Sequence, residues 1–530
     1  MKKTKYLLTL SLVSLTLISC EKGTSSLASS SSSQSVSSSE TDSSNSSSSS
    51  SSSNEEEKYQ RTYVDEYLEA TGMPRLPSKG DSKILVVPVI FSDMKDLVSE
   101  DEITQMREDL NTAFFGESED TGWESVSSYY EKASYNQVHL NGEVSQVYYT
   151  PLTASRYASI AKNEPTISTD SILDGIYTEF FTGDDPIYNV SDYDSDEDGI
   201  VDSIYMIYYY PAYTGYNGTL PDSFDSTNWE SVVRGNSLFW AFTYWDYYHD
   251  DLGAYSWSSY FMLKNQDYNG LVDSHTYIHE TGHLFGLDDY YNAYPVYGYT
   301  SPMGMSTMMD NNVGDLDAYS KNFLGWSNLV GYTDTIHNAS GGTYTLRPFE
   351  ETGDTYIIGI YFPYSPDEDP FYEYLVLEYY TPTGLNEKDA SAPYSSGVQC
   401  LTESGLKIYH TDSRVSYMNV NNPSQYDFVE HPDFSDMDET HTYIMPASNT
   451  PDRSYSGYNL VNLIEAEGTN RLTSYSYYML PAVNEDMFFE GDSFHKAFPT
   501  YRFNSNEPLP FDIRVDSISE EGLTFTVSLI

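Results

Sequence analysis

Hydrophobic positions along this chain follow two textures, one in its first half and another towards its end. Residues 84–91 (ILVVPVIF) form a continuous apolar run of strand length, and Pro88 within it predicts a sheet edge or a bulge, because proline has no amide hydrogen for a neighbouring strand. Ser99 and Glu102 make a capping-box pattern ahead of Ile103, Met106, Leu110 and Phe114, an apolar stripe at helical spacing that Gly116 closes. A second helix is predicted over 125–133, alternation resumes over 137–149, and 203–210 reads as a further strand. Together these describe a mixed sheet with helices. Beyond about residue 334 the segments shorten to strand length (343–348, 356–362, 374–380, 406–410, 475–480 and 523–530), separated by Gly, Pro, Asp and Asn turns. The expected class is α+β, with an all-β, sandwich-like C-terminal module.

The N-terminus has a different character. Lys2, Lys3 and Lys5 precede the apolar run 6–19, too short to span a bilayer and suited to a secretory signal. That run ends Leu17, Ile18, Ser19, Cys20, which resembles a bacterial lipobox and predicts lipidation at Cys20. Residues 24–53 are almost all Ser, a composition that forms no core and acts as a tether with a reach on the order of 30 Å. The expected organisation is a signal peptide (1–19), a lipidated cysteine and tether (20–54), a short entry segment (55–80), a catalytic domain (81–333) and the β-rich module (334–530). Nothing later is apolar for the length of a bilayer span, so the body is expected outside the cell, held to the membrane only through Cys20.

Charge narrows the partners. With 26 Lys+Arg against 80 Asp+Glu the formal charge is −54, which excludes binding nucleic acid by phosphate neutralisation. Cys20 and Cys400 are the only cysteines, so no disulfide framework is intended, and Cys400 reads as a small buried residue. The 52 Tyr fit a strand-rich chain with a large aromatic core.

Residues 279–289 read HETGHLFGLDD. On a helix His279 and His283 leave the same face one turn apart and can take two adjacent corners of a tetrahedral zinc ion. Glu280 lies beside that face, within reach of a water at the ion without ligating it. Gly286 lets the helix stop and the chain turn back, so that Asp289 can approach the same ion. With three protein ligands and one open corner, Glu280 as proton acceptor points to peptide-bond hydrolysis.

This string, followed by Tyr290 and Tyr291, resembles the motif HExxHxxGxxD of the immune-inhibitor-A-like secreted bacterial metallopeptidases. Segments 84–93, 125–144, 314–326 and 405–412 are similar to stretches of that family as well, so the resemblance covers roughly residues 80–530. It implies a metzincin-like catalytic domain with Asp289, not the adjacent Asp288, as third zinc ligand. It also implies a methionine turn beneath the metal. Among Met303, Met305, Met308 and Met309, the polar residue that follows favours Met309.

A second ion is expected at 192–202 (DYDSDEDGIVD), where Asp194, Asp196, Asp198 and Asp202 stand at positions 1, 3, 5 and 9 of an EF-hand-like loop and Gly199 at its turning position. Tyr205 replaces the twelfth-position Glu, so a full EF-hand is excluded and a structural calcium loop entering a strand is expected. His275 is read as structural, and His410 with Asp412 as a satisfied strand-end pair. The expectation is a monomeric, lipid-anchored zinc endopeptidase at the bacterial cell surface, acting on extracellular proteins or peptides. The rival is an adhesin or glycan- or protein-binding lipoprotein on the same fold, which would have no use for a carboxylate at Glu280.

Overall fold

The computed structural model describes residues 59–530 except 163, 214–218, 265–269, 293–297, 311, 392–400, 435–436, 439 and 448–456. The signal peptide, Cys20, the serine tether and Cys400 therefore lie outside the described residues. Among the described residues no helix is long and apolar enough to cross a membrane.

The first half runs α1 (Tyr63–Ala70), β1 (Gly80–Ile90), α2 (Glu100–Phe115), α3 (Val126–Ala133), β2 (Val138–Val144), β3 (Tyr148–Tyr149), α4 (Ala154–Ala161), α5 (Thr166–Tyr177), β4 (Val201–Tyr208), α6 (Trp229–Val233), β5 (Phe242–Trp245), β6 (Leu252–Ser259), α7 (His275–Leu284) and α8 (Ala318–Phe323). Helix α2 starts at the expected capping box, with Ser99 and Glu102 each accepting the other's amide, and buries Met106, Leu110 and Phe114. The strands form one sheet in the order β2-β1-β4-β6-β5, parallel throughout except that β5 runs antiparallel to β6 at the edge.

Strand β1 is central and not an edge, which corrects the expectation drawn from Pro88. The carbonyls of Val86 and Ile90 accept from Ser145 and Thr150, on the β2 and β3 side. With the period of two, Pro88 faces that same side, at the gap where pairing with β2 has ended at Val86 and pairing with β3 begins at Val89. The missing amide hydrogen falls where no partner waits.

The second half carries β7 (Asn328–Thr333), β8 (Gly341–Leu346), β9 (Asp354–Gly359), β10 (Glu373–Tyr380), β11 (Gly405–Asp412), β12 (Ser416–Asn419), β13 (Tyr426–Phe428), β14 (His441–Ile444), β15 (Val461–Leu463), β16 (Phe511–Ser519) and β17 (Gly522–Leu529). A five-stranded sheet, β15-β11-β10-β9-β7, faces a three-stranded sheet, β16-β17-β8, and β13-β12-β14 form a third. Leu375, Leu377, Leu406 and Ile408 share a core with Ile513, Phe525 and Val527, which is the sandwich; short helices interrupt it, so the module is β-rich and not purely β. From the other face of the five-stranded sheet, Val376, Tyr380 and Tyr409 join the core of the first half. One sheet thus belongs to both cores, and β7, which ends at the expected boundary of 333, already pairs with β9.

Residues 475–480 form no strand. Ser476 makes one isolated bridge to Tyr299, and Tyr475, Tyr477 and Tyr478 are exposed. Alternating aromatics there had no sheet edge to join.

Candidate metal centre

Helix α7 packs on β6 and β5, and its end explains how three donors meet. Gly286 takes φ +91°; its amide donates to His283 O (2.9 Å) and that of Leu287 to Gly282 O (3.0 Å), a Schellman arrangement. A side chain at 286 would be strained by that φ, and its Cβ would stand 2.6 Å from Leu68 Cδ1 of α1. The reversal brings Asp289 back to the imidazoles: its Oδ1 lies 3.0 Å from His279 Nε2 and 3.3 Å from His283 Nε2. Of the adjacent carboxylates, Asp288 accepts the amide of Asp289.

Both rings are oriented through their other nitrogen. His279 Nδ1 donates to Met308 O (2.9 Å) and His283 Nδ1 to Leu287 O (2.8 Å), which turns both Nε2 atoms towards the common point. A tetrahedral zinc ion with ligands at about 2.0–2.1 Å keeps its donors about 3.3 Å apart, so the two nitrogens and one oxygen fit that ion in kind and spacing. The three side chains offer ligand atoms within 4.8 Å of one another. Burial pushes the His283 imidazole down, but the facing Asp289 carboxylate outweighs it and lifts the ring to about 10. Burial would raise Asp289, yet the imidazoles hold it well below the usual carboxylate range. The pocket favours positive charge.

Glu280 is buried beside this cluster, and its Oε2 accepts from Thr243 Oγ1 of edge strand β5 at 2.9 Å. Burial pushes its carboxyl up, while His283 and His279 pull it back. Two residues on, Gly282 leaves room for Met309: a Cβ there would overlap the Met309 sulfur. Met309 is fully buried against α7 directly under the imidazoles' helix, and Met303, Met305 and Met308 are buried nearby. His275 is not drawn into the cluster; its Nε2 meets Asn312 O at 2.8 Å, and burial lowers the ring to about 4. Asp310, packed against the same turn, accepts the Met305 amide, and burial raises it to about 7.

In the acidic loop, Asp194, Asp196 and Asp202 converge with ligand oxygens within 4.8 Å of one another, and the loop enters β4 as a strand. Asp198 is not among the converging carboxylates; its Oδ1 accepts the Ile200 amide at 2.8 Å, closing the turn in which Gly199 has φ +90°. Burial pushes Asp202 up to about 8 against the hydrogen bonds from Ser195, and Asp196 and Asp194 add to the rise. Such a group gains when a cation replaces its proton.

His410 pairs with Glu373 (2.9 Å) across the sheet, while Asp412 holds Arg414 and Asn504, so each is satisfied but not by the other as expected. Thr243, the Met308 and Leu287 carbonyls, Gly282 and Asp310 escaped sequence reasoning. Thr243 and Met308 lie tens of residues from their partners, and no local spacing announces them; the Gly inside HETGH was the one available signal, because glycine within a helix often marks a close approach. No family model matches the chain, and no curated protein matches it in sequence.

Proposed function

We propose that this chain is a zinc-dependent endopeptidase of the immune-inhibitor-A-like, metzincin-like kind, carried at the bacterial cell surface by a lipid on Cys20. The observation that carries the reading is the meeting of His279 Nε2, His283 Nε2 and Asp289 Oδ1 with the buried carboxylate of Glu280 alongside. Met309 under Gly282 supports a methionine turn at that position.

His279, His283 and Asp289 would hold the metal. When bound, zinc supplies Lewis acidity towards a scissile carbonyl and lets water react near neutral pH. Glu280 would accept the proton of the attacking water and pass it to the departing amine. Burial pushes its carboxyl up, which favours holding a proton, and the Thr243 hydroxyl donates to its Oε2. Strand β5 ends its sheet and has no strand on its outer side among the described residues. An extended peptide could add to that edge as a further strand, and extracellular proteins in unfolded or extended form are the substrate class. Asp194, Asp196 and Asp202 would take calcium as a structural ion.

The test is Glu280→Gln. The variant is expected to bind zinc as the wild type does and to lose hydrolysis of an unfolded casein-type substrate by about 10³-fold or more, read by mass spectrometry of the cuts. Comparable turnover in the variant refutes the mechanism.

A further inference from the structure

Strands β10 and β11 carry two buried polar side-chain pairs, one on each face of their sheet. Glu378 stands opposite Lys407 in register, with both side chains 3% exposed, on the face that Tyr380 and Tyr409 share with the first half's core. Glu373 and His410 meet on the other face, where the His410 ring lies against Tyr501 and Phe503. Apolar residues of similar volume would hold such a sheet together at least as well as a buried pair does, so Glu378 and Lys407 call for a role beyond stability.

A chain of short contacts leads from that pair to the metal centre. Glu378 Oε2 accepts the amide of Ala318, the first residue of α8, at 2.9 Å, and Tyr409 OH fixes Oε1 at 2.9 Å. Asp317 caps α8, taking the Ser320 amide on one oxygen and the Thr307 hydroxyl on the other at 2.9 Å, while its own amide donates back to Thr307 Oγ1. Thr307 is fully buried. The next residue, Met308, donates its amide to Asp315 O, and Asp315 is held by Lys321 of α8 at 2.7 Å. The Met308 carbonyl is the acceptor that orients His279 Nδ1. The turn beneath the imidazoles is thus pinned by the start of α8, and the start of α8 by Glu378.

We infer that the Glu378–Lys407 pair positions His279: the β-rich module sets the direction of its Nε2 through Ala318, the Asp317–Thr307 bridge and the Met308 carbonyl. This rests on the reading of 279–289 as a metal centre. Glu378, Lys407 and Thr307 touch no ion; they are positioning residues, and the module is part of the metal centre's frame.

The test measures zinc affinity of the full chain by competition with a chromophoric chelator, with the visible spectrum of the cobalt-loaded protein as a second readout. Glu378→Gln and Thr307→Val are expected to weaken zinc about tenfold or more and to change the cobalt spectrum. Thr307→Ser, which restores the hydroxyl, stays within about twofold of wild type. His410→Gln, on the opposite face, lowers the melting temperature but leaves zinc affinity within about twofold. Unchanged zinc affinity in folded Thr307→Val overturns the inference, and that variant decides if Glu378→Gln does not fold. Equal weakening in His410→Gln also overturns it, since the pair would then act through stability alone. A wild type that binds no zinc removes the metal centre and this inference together, whereas wild-type binding matched by all variants removes this inference alone.

Discussion

The two candidate ion sites are assembled in opposite ways. In the acidic loop the chain supplies both the carboxylates and the groups that hold them: the amides of Ser195, Asp198, Gly199 and Ile200 all donate to side chains between 194 and 202. At 279–289 the donors are close in sequence and Leu287 O holds His283 locally, but His279 is aimed by the Met308 carbonyl, Glu280 is held by Thr243 on β5, and Leu68 of α1 packs beneath Gly286. A loop that organises itself locally can stabilise whatever it is built into. A centre aimed from several distant segments can be held rigidly enough for chemistry, and it weakens when remote packing changes.

That difference predicts separate responses to metal removal. Stripping zinc is expected to reduce hydrolysis by about 10³-fold or more, while chelating calcium alone leaves hydrolysis at low temperature close to native. Loss of activity at low temperature on calcium removal alone would break the distinction. For stability, calcium at about 100 times its dissociation constant should contribute about 2.7 kcal/mol, so its removal lowers the melting temperature by several degrees; an unchanged melt removes the loop site from the account.

Gly286→Ala sharpens the contrast from the zinc side. The left-handed φ costs a non-glycine residue about 1–2 kcal/mol, and the new methyl meets Leu68, so Asp289 is displaced. Zinc affinity should fall about tenfold, with calcium affinity unchanged; parallel loss of both ions would mean the sites are not independent.

The most gradual effect is one of pH. Asp202 is raised to about 8, so below that value the ion-free fold keeps a proton there that calcium must displace. Calcium affinity should therefore fall as pH drops from 8, by up to about tenfold per unit, and level off above 8. Calcium titrations at pH 8.5, 7.5 and 6.5 check the slope, and a flat profile contradicts the convergence of these carboxylates.

The contrast also explains what was legible in the chain. Features set by near neighbours were readable: the Ser99–Glu102 cap of α2, the helix over 126–133, the strand after the acidic loop, and the imidazoles one turn apart. Features set from a distance were not. Pro88 suggested an edge because its own strand cannot announce the gap between β2 and β3. Lys407 and Glu378 look like surface residues until the five-stranded sheet packs against the first half, and Lys321 until Tyr135 and Phe349 close over it. The entry segment gave no sign that Leu76 would take Leu284 O, or that Arg75 and Asp65 would form a buried pair there. Residues 475–480 had a strand's alternation without a neighbour to pair with.

Anomalous diffraction at the zinc edge from crystals of the zinc-loaded protein is the most direct check on the central claim. The account predicts one strong peak per chain, in contact with His279 Nε2, His283 Nε2 and an Asp289 oxygen, with Glu280 near but unbound. A peak ligated by other residues, or no peak while those three side chains turn apart, would contradict it.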